Sequence, residues 1–145
     1  MRVIGIDLGE RRIGVAVSDS ARRVALPRCT LLRGPDPSAD RARIAALVSE
    51  TGASAVVVGL PVSLDGRHGP AAQAAEQEAD ALAELLAPHG VEVETFDERL
   101  TTVSAERRLG EAGRGGPARR QVVDQAAAAV MLQAWLDSRG GRPDA

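Results

Sequence analysis

The stretch Gly5-Ile6-Asp7-Leu8-Gly9-Glu10-Arg11-Arg12-Ile13-Gly14-Val15-Ala16-Val17-Ser18-Asp19 decides how the chain begins. Residues 2–7 form an apolar run that ends in an acid, and Leu8-Gly9-Glu10-Arg11 is a turn. Over residues 12–19, Ile13, Val15 and Val17 alternate with Gly14, Ala16 and Ser18, the period-two pattern of a half-buried strand. A third strand is expected over 24–31, at a sheet edge, because Pro27 has no N–H to give to a central ladder. The chain therefore opens as an antiparallel meander.

Beyond the meander the pattern changes to helices alternating with strands. Asp36-Pro37 offers a cap and a first-turn proline, Ile44, Leu47, Val48 and Thr51 recur at helical spacing, and Gly52 stops the helix. Residues 54–59 read as a strand buried on both faces, followed by a loop with Pro61, Gly66, Gly69 and Pro70. A second helix is predicted over 71–87 with Ala75, Ala79, Leu82 and Leu86 as its apolar stripe, ended by Pro88 and Gly90. A fifth strand over 91–96 runs into Asp97-Glu98, and Thr101 or Thr102 caps a helix to about residue 111. The glycine-rich segment 110–118 is expected to be mobile, a last helix spans 119–138, and 139–145 is a disordered tail. This order predicts one α/β domain over 1–138: a mixed five-stranded sheet, three strands antiparallel and the rest parallel, with helices on both faces.

Composition narrows the function. Hydrophobic residues make up 44% of the 145, yet Phe96 and Trp135 are the only aromatics, which argues against base-stacking platforms. A single Cys29 has no disulfide or ligand companion and reads as strand packing in a reducing compartment. With no signal-peptide pattern and no long apolar window, a cytoplasmic protein is expected. The net charge of −2 is strongly segregated. Residues 1–33 hold seven Arg against three acids, 34–98 three Arg against twelve acids, and 99–120 six Arg against two acids. Arginine-rich stretches beside acids would suit a phosphate backbone led toward an acidic centre, though solvated surface is the plainer alternative.

Three dispersed acids stand in costly places: Asp7 at a strand end, Glu98 after another strand, and Asp124 on the apolar stripe shared with Ala128, Met131 and Trp135. Converging carboxylates of this kind hold two divalent cations about 4 Å apart. Glycines 5 and 9 would allow close approach of phosphate or metal to Asp7. Each acid has a structural alternative: a turn for Asp7, an ion pair with Arg99 or Arg12 for Glu98, a helix first turn for Asp124. Asp97 competes with Glu98, since strand alternation turns the two to opposite sides. Arg12 and Arg99 are the leading phosphate contacts, followed by Thr101, Arg119 and Arg120; Asp19, Asp65, His68 and His89 read as loop and turn residues.

The opening block, Gly59-Leu60-Pro61 with Asp65-Gly66, Asp97-Glu98-Arg99-Leu100-Thr101-Thr102, and Val123-Asp124 with Ala126-Ala127 resemble the signature blocks of the YqgF/RuvX family. That resemblance, running from residue 2 to about 137, implies a ribonuclease H-like fold. It implies a nuclease assigned to 5′-end maturation of the 16S ribosomal RNA precursor and also taken for a Holliday junction resolvase. It places catalytic and metal-binding acids on Asp7, Glu98 and Asp124, with Mg2+ or Mn2+ as cofactor. The chain departs from junction resolvases of the superfamily at Ala127, where their last helix carries a further acid. RNA processing therefore ranks first, junction resolution second, and a non-catalytic nucleic-acid-binding module in transcription or ribosome assembly is the alternative of another class.

Overall fold

A computed structural model of the chain describes residues 1–63, 65–101 and 117–139, with side chains of the last helix described from residue 122. Strands β1 (Val3–Leu8), β2 (Arg12–Ser18) and β3 (Ala25–Leu32) form the meander, then β4 (Ala55–Leu60) and β5 (Glu92–Asp97) follow. Helix α1 (Pro37–Thr51) leads to β4, α2 (Pro70–Leu86) leads to β5, and α3 (Pro117–Arg139) ends the described chain. The sheet order is β3-β2-β1-β4-β5, antiparallel across the meander and parallel from β1 to β4 to β5.

Local chemistry accounts for these elements. Asp36 caps α1 by accepting the Ser38 N–H, Pro37 fills the first helical position, and Gly52 ends the helix at φ 71°. Pro27 sits on β3, at the sheet edge as predicted, and the β2–β3 register slips beside it between Val15 and Ala16. All six residues of β4 are buried, as its unbroken apolar run requires. Boundaries differ from the sequence expectation by one or two residues. α3 begins at Pro117, since proline suits a first helical position, and it reaches Arg139, so both ends of that expectation were too short. The expected helix to residue 111, most of the 110–118 segment and the tail beyond Arg139 lie outside the described residues.

Strand alternation sorts the core into two layers. Ile4, Ile6, Ile13, Val15, Val56 and Val58 face α1 and α2, meeting Ile44, Val48, Ala75, Ala79, Leu82 and Leu86. On the other face Val3, Ala16, Ala55 and Val57 meet Ala127, Ala128, Met131, Leu132, Trp135 and Leu136 of α3. Each large aliphatic side chain buried this way contributes roughly 1.5–3 kcal/mol before entropy is counted. Cys29 packs against the first layer, as its strand position suggested. The α3 face is the one that carries the acids.

Candidate active site

Asp7 anchors the site. Val3 packs against α3, a Cβ on Gly5 would stand 2.8 Å from the Leu132 Cβ, and alternation puts Asp7 on that same face. Across β2 its register partner is Gly14. On the other side, the parallel pairing of Val3 with Ala55 through Ile6 with Val58 sets Gly59 beside Asp7 one step further along. Asp7 is thus flanked on both sides by residues without side chains.

The two remaining acids occupy those gaps. A Cβ on Gly14 would overlap the backbone carbonyl oxygen of Asp124 and stand 2.6 Å from its carbon, so α3 rests on this glycine at the residue that bears the acid. A Cβ on Gly59 would stand 2.7 Å from Glu98 Oε1, so the Glu98 carboxylate lies over the bare backbone of β4. Asp7, Glu98 and Asp124 are 2%, 3% and 7% exposed, which makes them three of the five buried polar residues among those described. The sequence analysis singles out the three acids and does not single out these two glycines. The signal was present: Gly14 interrupts an apolar alternation and Gly59 ends the Val56-Val57-Val58 run.

A short turn after β5 decides which of Asp97 and Glu98 enters the site. The Asp97 carboxylate accepts the Arg99 N–H at 2.9 Å and grips the Arg99 guanidinium through Nε and Nη2, at 2.9 and 2.6 Å to Oδ2. Thr101 closes the turn by donating its N–H and hydroxyl to the Glu98 carbonyl at 3.1 and 2.9 Å. Asp97 is held outward and Glu98 is driven inward. The Arg99 hydrogen bonds hold the Asp97 carboxyl below its ordinary value. Burial, and secondarily the Asp97 charge, pushes Glu98 up to about 7. Glu98 has no ion-pair partner among the described residues, so the expected alternative of a pair with Arg99 or Arg12 is not what the structure shows.

Arg12 is committed elsewhere. Its Nε donates to Asp124 Oδ2 at 2.6 Å, and the side chains are 21% and 10% exposed. Of the two glycines that the sequence suggests for phosphate or metal approach, Gly5 is filled by Leu132, which corrects that expectation there. Gly5 admits α3, and Gly9 donates its N–H to the Arg12 carbonyl at 2.8 Å to close the turn. Asp19 accepts the Arg23 and Val24 N–H groups and Asp65 binds the Ser63 hydroxyl and the Arg67 N–H, so both are the turn acids they were read as. His68 pairs with Glu76 through Nδ1, and His89 ends a 3-10 turn. Arg119 and Arg120 lie on α3, with side chains outside the described set.

Oxygen-only donors of this type suit hard divalent cations, and the buried Glu98 carboxyl, with no ion-pair partner among the described residues, would be favoured by one. The donor chemistry and burial fit such an ion. The spacing is open: among the described residues no group of three or more His, Cys, Asp or Glu is gathered closely enough to hold a metal. Arg12 holds one oxygen of the Asp124 carboxylate.

The five-stranded mixed sheet, three strands antiparallel and the rest parallel with helices on both faces, is that of the ribonuclease H-like class, and Asp7, Glu98 and Asp124 reach one of its faces from β1, the turn after β5 and the last helix. Residues 1–138 match the family described as "RuvX: Holliday junction resolvase", and the chain belongs to that family. It is 47% identical over 137 residues to a "Putative pre-16S rRNA nuclease" of Chloroflexus aggregans, covering 94% of each chain. It is 50% identical over 147 residues to a protein of the same name from Mycobacterium ulcerans, covering 99% of this chain and 85% of that one. Among solved structures it resembles Thermus thermophilus RuvC in complex with Holliday junction substrate, with a TM-score of 0.59 at 17% identity over 97% of both chains. It also resembles the yeast mitochondrial Holliday junction resolvase Ydc2, with a TM-score of 0.52 at 11% identity over 96% of this chain and 81% of that one. These structural likenesses show the shared fold.

Proposed function

We propose that this protein is a metal-dependent nuclease that matures the 5′ end of the 16S ribosomal RNA precursor, acting in the cytoplasm on precursor particles. The observation that carries the reading is the placement of Asp7, Glu98 and Asp124 on one sheet face around two glycines that leave room for them. The names of relatives at 47% and 50% identity favour RNA as the substrate. No helix among the described residues is long and apolar enough to cross a membrane.

Asp7, Glu98 and Asp124 are the residues to hold Mg2+ or Mn2+. When bound, such ions activate a water and stabilise the leaving oxygen of a phosphodiester. Glu98 must be ionised to take part, and its elevated value of about 7 makes cation binding compete with a proton on its carboxyl. Asp97 sets the direction of Glu98 by clamping the turn, and Arg99 is clamped with it. Arg11 and Arg33 lie at the same turn as Arg12, where Arg33 donates to the Gly9 carbonyl at 2.7 Å, and together they offer positive charge to an incoming backbone.

The test is cleavage of a precursor 16S 5′ leader, an unrelated single-stranded RNA and a four-way DNA junction, with Mg2+ or Mn2+ and with chelator. The reading expects metal-dependent cutting of the leader, with Asp7→Asn inactive. Preferential cutting of the junction would favour the resolvase reading, which the family description supports. Binding without cutting of any substrate would leave the non-catalytic module.

A further inference from the structure

The ion pair between Arg12 and Asp124 spans 112 positions and joins β2 to α3 at the acidic face. Arg12 opens β2 directly after the turn that Gly9 closes, so its backbone is fixed, and Gly14 two residues on is pressed against the Asp124 backbone. Both partners are therefore held by the fold independently of their contact. An arginine side chain that is one-fifth exposed, with its Nε 2.6 Å from a carboxylate oxygen, occupies part of the coordination space of that carboxylate. It also sets a positive charge where a divalent cation would have to come.

We propose that Arg12 is a stand-in cation: it neutralises Asp124 in the metal-free protein, and a divalent ion that takes Asp124 displaces it. This rests on the metal-dependent reading above. The device agrees with acids that, among the described residues, are not gathered into a closed metal cage. The opposite arrangement, in which Arg12 stays on Asp124 as an outer partner that orients it for the metal, predicts effects of opposite sign.

The experiment measures Mn2+ affinity by calorimetry, without nucleic acid, for the parent protein, Arg12→Gln and Arg12→Lys. Displacement predicts that R12Q binds Mn2+ about tenfold or more tighter than the parent, because the competing charge is gone, while R12K stays near the parent. In chelator R12Q melts below the parent, and Mn2+ raises its melting temperature by more. Equal or weaker Mn2+ binding by folded R12Q overturns the proposal and leaves the metal-dependent reading intact. Absence of Mn2+ binding by the folded parent overturns both. A second measurement needs no variant: in the parent protein the Arg12 Nε–H is expected to be protected from solvent exchange in chelator by its bond to Asp124, and to lose that protection when Mg2+ is added. Protection that persists at saturating Mg2+ overturns displacement.

Discussion

Replacing Glu98 by Gln in the metal-free protein should change how stability depends on pH, and the size follows from the burial of that carboxyl. Its ordinary value is 4.5 and in the fold it rises to about 7, because burial penalises the charge and Asp97 repels it. Below pH 4.5 Glu98 is neutral in both folded and unfolded chains and costs nothing. As pH rises the unfolded chain releases its proton first, so folding is progressively disfavoured until the folded value is passed near 7. The displacement corresponds to about 3 kcal/mol at most, at about 1.4 kcal/mol for each unit. For a chain of this size that is roughly 6–12 °C in Tm. Denaturant unfolding of the parent and E98Q in chelator, from pH 4.5 to 8, reads the effect. The parent should lose stability relative to E98Q across that window and hold a constant difference above it. Parallel curves would refute the burial argument, and with it the claim that an acid without an ion-pair partner among the described residues is held at this site. Adding Mg2+ at pH 8 should then stabilise the parent more than E98Q.

Gly14→Ala sets a new Cβ against the Asp124 carbonyl, where backbone meets backbone and neither flexes cheaply, so a loss of about 1–3 kcal/mol or more is expected in thermal melts. Gly59→Ala meets the end of a flexible side chain instead, 2.7 Å from Glu98 Oε1, so the fold should survive while cleavage and Mn2+ affinity fall together. Asp97→Ala removes the cap of the turn and the grip on Arg99, costing about 1 kcal/mol in unfolding experiments. Because the Asp97 charge helps raise Glu98, this variant should also shift the acid limb of the pH–rate profile to lower pH.

Much of this molecule was legible in its sequence. The alternation over 12–19, the proline that sends β3 to the edge, the Asp36 cap and the apolar run of β4 are local signals, and the structure places each element within a residue or two of its expected bounds. Strand alternation turns Asp97 and Glu98 to opposite sides and the family resemblance favours Glu98, but the Arg99 clamp that holds Asp97 aside is not written in the spacing. What stayed hidden depends on pairs far apart in the chain. Gly14 matters because α3 lands on it, Gly59 because Glu98 leans over it, and Arg12 because Asp124 arrives from 112 residues away. No periodicity or spacing encodes such meetings. Reading Gly5 as room for phosphate failed for the same reason, since the room is filled by Leu132.

A crystal soaked in Mn2+ and measured at the manganese absorption edge tests the central claim most directly. An anomalous peak contacting the carboxylates of Asp7 and Glu98, with Asp124 turned to it, is the predicted result. Density elsewhere on the molecule, or none at saturating Mn2+ with these three acids ordered, would contradict a metal-dependent nuclease site on this face.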